Sequence, residues 1–154
     1  MPNSSTNNAQ AALVESLNAL LADLFALYLK TKNFHWHVRG PRFRDLHLLF
    51  DEQAAEIFAL TDLVAERVRK NGAPTLTSIQ AIGGKSRIAP QDEVALDAEA
   101  MIAELAADNR KLIGWLREAK AAASTAGDNA TDGAIDDWTD QAEQRAWFLE
   151  SLLA

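Results

Sequence analysis

The 154-residue chain contains no cysteine, which excludes a disulfide framework and any thiolate metal chemistry. Its four prolines and seven glycines fall mostly between periodic segments, so the chain reads as all-α. The opening MPNSSTNNAQ has neither the basic start nor the apolar stretch of a signal peptide. No uninterrupted apolar run approaches the ~20 residues of a membrane span, and a cytoplasmic location is expected. Basic residues are the minority, 15 against 22 acidic, for a net charge of −7. Such a surface attracts cations and repels nucleic acid. One domain is expected, residues 10–154, behind a loose polar tail at 1–9.

Helical periodicity fills most of that domain. Leu13, Leu17, Leu20, Leu24, Leu27, Thr31 and His35 keep a three-to-four-residue step from about Ala11. After the stop signal Gly40-Pro41, a second helix runs from about Arg44 to Asn71-Gly72. Its apolar positions Leu46, Leu49, Phe50, Ile57, Leu60, Leu63 and Val64 are broad enough to serve a bundle core and a subunit interface. The linking stretch 73–89 has room for a short helix, Thr77 to Ile82, packed through Leu76, Ile79 and Ile82. Pro90-Gln91-Asp92-Glu93 resembles the start of a third long helix carrying Val94, Met101, Leu105, Leu112 and Leu116, with Gly114 marking close packing. A small-residue loop is expected from Ala121 to Ala130. The last helix then turns Ile135, Trp138, Ala142, Ala146, Leu149 and Leu153 inward.

All three histidines, His35, His37 and His47, lie in one short stretch. On the second helix His47/Asp51 and Asp62/Glu66 are both i, i+4 pairs, each stacked on one face. Asp51 and Asp62 are eleven residues apart, about three turns, so all four side chains point the same way. Along the axis the two pairs nevertheless lie roughly 16 Å apart at about 1.5 Å per residue. One metal site cannot span that gap. Two antiparallel copies about a two-fold axis close it, giving two identical sites shared between subunits. Imidazole and carboxylate ligands without thiolate suit Fe(II) better than a closed zinc site. A solvated helix face and a core histidine are the bland alternatives. His37, about 200° around from His35 at ~100° per residue, is expected to face elsewhere.

The run His35-Trp36, Gly40, Phe43, Leu46-His47, Phe50-Asp51, Asp62 and Ala65-Glu66-Arg67 resembles the signature of the Dps family, the mini-ferritins named for DNA-binding proteins from starved cells. The resemblance extends over nearly the whole chain. It implies a ferritin-like four-helix bundle with a short extra helix between the second and third helices. It also implies a homo-dodecamer built from two-fold dimers. The family's two-iron ferroxidase site would fall on His35, His47 and Asp51 of one subunit with Asp62 and Glu66 of its partner. Trp36 matches the tryptophan beside that site, as a source of an electron or as a packing aromatic. His37 departs from the asparagine often found after that tryptophan. The activity implied is oxidation of Fe(II), with hydrogen peroxide as oxidant, and storage of ferric mineral in a hollow shell, which protects against oxidative damage.

Asp128, Asp132, Asp136 and Asp140 recur every four residues. Like charges at this spacing repel by a few tenths of a kcal/mol per pair, about what opposite pairs gain. The bland reading is a solvated acidic face. The sharper one, carried by the resemblance, places Asp128, Asp132 and Asp136 in three-fold pores that draw Fe(II) inward. Two rival functions remain. A DNA-compacting nucleoid protein with secondary iron binding is disfavoured by the absence of Lys and Arg from residues 1–10 and of a basic C-terminal extension. A helical interaction protein without metal chemistry would require the ligand set to be coincidence.

Overall fold

The computed structural model describes residues 3–154. Its elements are α1 (Ser4–His37), α2 (Phe43–Lys70), α3 (Ile79–Lys85), α4 (Ala98–Ala126) and α5 (Asn129–Ser151), with no strand among the described residues. The four long helices form one bundle. Side-chain contacts run down α1 as they run up α2: His35 meets His47, Lys32 meets Asp51, Tyr28 meets Phe58, and Gln10 reaches Asn71. The two helices are therefore antiparallel. Lys120 to Asp132, Asn109 to Arg145 and Arg110 to Glu150 show the same for α4 and α5. The short α3 lies against α1, pinned by Lys85 to Glu15 at 2.7 Å.

The expected apolar stripes form the core: Leu13, Leu17, Leu20, Leu24 and Leu27 of α1 are buried, as are Ile57, Leu60 and Val64 of α2 and Trp138, Ala142, Ala146 and Leu149 of α5. Element ends depart from expectation where local chemistry outweighs periodicity. The polar stretch 1–9 is helical from Ser4 onward, and its first two residues lie outside the described ones. α3 begins two residues late because the Ser78 side chain caps it by accepting the Ala81 N–H. Its Ile79 is 83% exposed rather than packed. α4 starts not at Pro90 but at Ala98, where Asp97 accepts the Ala100 N–H at 2.8 Å and supplies the N-cap. Val94 is consequently exposed. The small-residue stretch expected as a loop instead continues α4 to Ala126, because alanine is the strongest helix former and Ala119 and Ala123 pack inside. The turn shrinks to Gly127-Asp128. Gly127 has φ +72°, the left-handed conformation in which glycine ends helices. Gly114 marks no close packing: a Cβ there would meet nothing within 4 Å. Leu153 is exposed rather than inward.

α1 is long and apolar enough in composition to cross a bilayer, although Glu15, Asp23 and Lys30 interrupt its apolar runs. It is nonetheless a bundle helix with charges turned into protein. Fully buried Asp23 accepts the Arg87 backbone N–H at 2.6 Å and its guanidinium at 2.9 and 2.7 Å.

Candidate metal centre

The turn between α1 and α2 builds the centre. Val38 ends α1 in an extended conformation and buries its own side chain. Gly40 takes φ +109°, a region that favours glycine, and its carbonyl accepts the Phe43 N–H at 3.0 Å to start α2. This tight reversal brings the last turn of α1 against the first turns of α2.

The result is a reciprocal pair. His35 Nδ1–H donates to the His47 carbonyl at 2.6 Å, and His47 Nδ1–H donates to the His35 carbonyl at 2.7 Å. The rings stack 3.8 Å apart at 13°, with Phe43 stacked on the outer face of His47 at 5.0 Å. A carbonyl only accepts, so both protons sit on Nδ1. Each Nε2 in the neutral ring then keeps its lone pair. Metal-binding histidines are held in this way, with the non-ligating nitrogen fixed by a backbone oxygen.

Asp51 stands one turn further along α2, 53% exposed, with Oδ1 3.8 Å from His35 Nε2. That is too far for a hydrogen bond. Lys32 Nζ donates to the same oxygen at 2.7 Å. This hydrogen bond is the main reason Asp51 is held below the usual carboxylate range; burial opposes it, and the charge of Lys32 adds to it. Lys32 is not among the residues singled out from the sequence. Its only signal was position, one turn before His35 on α1. The Lys32 ammonium also lies 5.8 Å from the centre of the exposed Trp36 ring. His37 is exposed, with Nδ1 donating to the Asn33 carbonyl and side-chain oxygen at 2.8 and 2.7 Å.

Asp62 and Glu66 lie on the exposed surface of α2, which is unbroken between them and His47. Within one chain the described residues gather no group of three or more His, Asp or Glu fit to hold a metal. His35 of α1 lies against His47 and Asp51 at the start of α2 without closing a metal-holding group, and Asp62 and Glu66 stand further along α2. Large apolar side chains are exposed beside them: Leu48, Phe58 and Leu63 on α2 and Leu29 and Trp36 on α1.

The acidic ladder divides. Asp128 is the N-cap of α5 rather than a free carboxylate. Arg67 grips both its oxygens at 2.9 and 3.0 Å, Asn71 donates at 2.9 Å, and Thr131 donates through its backbone N–H at 3.1 Å and through its hydroxyl. Burial pushes its pKa up, but the hydrogen bonds from Asn71, Thr131 and Arg67 outweigh burial and hold it well below the usual range. Asp132 and Asp136 share one cation, Lys120, which lies 2.8 Å from Asp136 and also contacts Asp132.

Comparison with known proteins agrees with this architecture. A family model described as a ferritin-like domain matches residues 14–154. The chain is 32% identical over 141 residues to DNA protection during starvation protein 1 of Deinococcus radiodurans, covering 92% of this chain and 68% of that protein. With the DNA protection during starvation protein of Brevibacillus brevis it shares 34% identity, over 89% of this chain and 91% of the relative. The solved structure of Dps from Thermosynechococcus elongatus superposes with a TM-score of 0.95 at 30% identity, covering 98% of this chain and 96% of that one. On helix order, the motif around the paired histidines and these likenesses, the chain belongs to the Dps family of ferritin-like proteins.

Proposed function

We propose that this chain oxidises Fe(II) at sites shared between two copies of itself and stores the ferric product inside a closed homo-oligomeric shell, a dodecamer assembled from two-fold dimers. The observation that carries the reading is the reciprocal histidine pair. It presents two outward Nε2 lone pairs, with the Asp51 carboxylate beside them, at the end of α2 opposite to Asp62 and Glu66. Two α2 helices packed antiparallel join the clusters, and exposed Leu48, Phe58 and Leu63 supply apolar surface for that packing.

Iron is the substrate in this scheme. Neutral imidazoles and carboxylates without thiolate bind Fe(II) while leaving positions open to oxidant. His35, His47 and Asp51 hold one side of an iron pair, and the partner's Asp62 and Glu66 complete it and offset its charge. Each of two Fe(II) ions gives up one electron, and hydrogen peroxide accepts both as its O–O bond breaks. Hydrolysis of the ferric ions to oxyhydroxide then releases protons. Asp132 and Asp136 line the path by which Fe(II) enters, while Asp128 holds the start of α5. Trp36, exposed beside the centre, supplies an electron to stray oxidising equivalents or packs against the neighbouring copy. Consuming iron and peroxide together protects DNA without touching it. The cytoplasm, where both reagents meet DNA, is the compartment this reading implies. Direct DNA binding would show as salt-sensitive retention in a gel-shift at neutral pH.

Anaerobic loading with Fe(II) followed by peroxide, monitored by ferric absorbance, tests the activity. The His47→Ala, Asp51→Ala double variant loses the fast phase; an undiminished rate rejects the site. Sharing is tested by co-assembly of His47→Ala chains with Asp62→Ala chains. Half the randomly paired dimers then contain one intact site of two, so about a quarter of the activity returns. No recovery above either parent rejects a shared site.

A further inference from the structure

Ferritin-like di-iron carboxylate proteins build their metal sites in the bundle core, from side chains of facing helices. The interior of this bundle is polar at one level, but the residues there do not fit a metal. Lys30 of α1, only 6% exposed, places Nζ among three oxygens: Asp108 Oδ2 at 2.8 Å, Glu104 Oε2 at 3.1 Å and the Ala89 carbonyl at 2.9 Å. Asn109, next to Asp108 on α4, accepts from Arg145 Nε of α5 at 2.9 Å. Arg145 is 1% exposed, and its Nη1 meets Glu56 of α2 at 3.4 Å. Gln53 of α2 donates to the Arg145 carbonyl, while Arg145 Nη2 and Asp108 Oδ2 have no hydrogen-bond partner, the latter meeting Lys30 as an ion pair only. All four long helices thus contribute, with three carboxylates gathered around two side-chain cations.

We infer that Lys30 and Arg145 are resident cations occupying the interior that this fold elsewhere gives to metal, and that Lys30 in particular seals an all-oxygen cage. The argument is electrostatic. Glu104 and Asp108 stand i, i+4 on one helix and repel each other, and Asp108, only 5% exposed, carries a desolvation cost unless a cation sits beside it. An ammonium whose neighbours are two carboxylate oxygens and a carbonyl has the surroundings that hard cations select. A cavity of about 390 Å³ adjoins Lys30 and is lined also by Asn33, Ala89 and Gln91, though not by Glu104 or Asp108. With the ammonium in place, the position between the two carboxylates is filled, one of their two charges is balanced, and that position is closed to iron. This inference stands apart from the interface site and does not require it.

The test uses the full chain in a His47→Ala, Asp51→Ala background, so that the interface ligands are silent. Adding Lys30→Ala leaves the cage with room for an ion and water. Its melting temperature then rises with added Mn(II) or Ca(II) and falls again with chelator, whereas the background chain responds to neither. A further Asp108→Asn removes the response. Should Lys30→Ala unfold without metal, recovery of helical signal on adding Mn(II) is the same result. A Lys30→Ala chain indifferent to Mn(II) and Ca(II) overturns the cage. A second measurement needs no destabilised variant: Glu104→Gln and Glu56→Gln in the otherwise natural chain leave the number of bound metal ions unchanged. Loss of a bound ion in either would show that metal, not Lys30 or Arg145, occupies the interior.

Discussion

Lys32 is the residue whose removal tests the metal centre most sharply. Its ammonium holds the Asp51 carboxylate oxygen at 2.7 Å, the carboxylate that the proposed site offers to a cation. In that proposal an incoming Fe(II) has to displace it. Lys32 is partly sheltered but Asp51 is half exposed, so water screens the pair. Exposed ion pairs of this kind are worth about 0.2–1 kcal/mol, which corresponds to about 1.4- to fivefold in affinity. Lys32→Met keeps the aliphatic stem and deletes the charge. It should tighten binding of Co(II) or Mn(II), measured by calorimetry, by that factor, and speed peroxide-driven oxidation at limiting Fe(II). Thermal stability should move by less than about 1 kcal/mol, because an exposed pair contributes no more than that. The pH dependence gives an independent check. Lys32 lowers the pKa of Asp51, so the variant needs a higher pH to ionise that carboxylate and its acid limb of metal binding moves upward. Weaker binding in Lys32→Met, with assembly mass unchanged, would refute the reasoning and make the lysine a strut that aims Asp51.

Two further outcomes follow from the α5 start. Asp128→Asn keeps a capping side chain but removes the charge paired with Arg67, and should cost about 1–3 kcal/mol at neutral pH in urea unfolding. Asp128 has a depressed folded pKa, so its contribution is complete above the unfolded value of about 3.9 and declines as pH falls below it. The gap between Asp128→Asn and the natural chain should therefore narrow in acid, and a gap independent of pH would mean that charge is not its cause. Asp132→Asn with Asp136→Asn should slow iron uptake while leaving assembly mass unaltered, and Lys120→Met, which frees both carboxylates, should speed it. Uptake kinetics indifferent to all three changes would remove these residues from the iron path.

Helix interiors were readable from spacing because burial imposes it: a leucine every three or four residues is what an α-helix against a core requires. Helix ends were not, because a cap depends on a single hydrogen bond. Asp92 and Glu93 offered the same first-turn chemistry as Asp97, yet Glu93 accepts only the N–H of Ala95 two residues on, whereas Asp97 accepts that of Ala100 three residues on, which is the capping geometry. The stretch after Ala121 looked like a loop because small residues suit loops, and like a helix because alanine suits helices better than any other residue. Its burial against the bundle settled the matter.

The sequence by itself determined the helical class, the ligand types and the separation of the two carboxylate pairs along α2, since each follows from local geometry that no distant residue can change. Only the tertiary structure decided what those side chains face. Reversal at Gly40 turned two histidines twelve residues apart into partners that fix each other's protons. It also brought Lys32 onto Asp51, while the packing of α2 against α5 placed Arg67 on Asp128, the N-cap of α5. The physical reason is that a charge acquires its role from the neighbours that remain near it after folding, and those neighbours come from other helices.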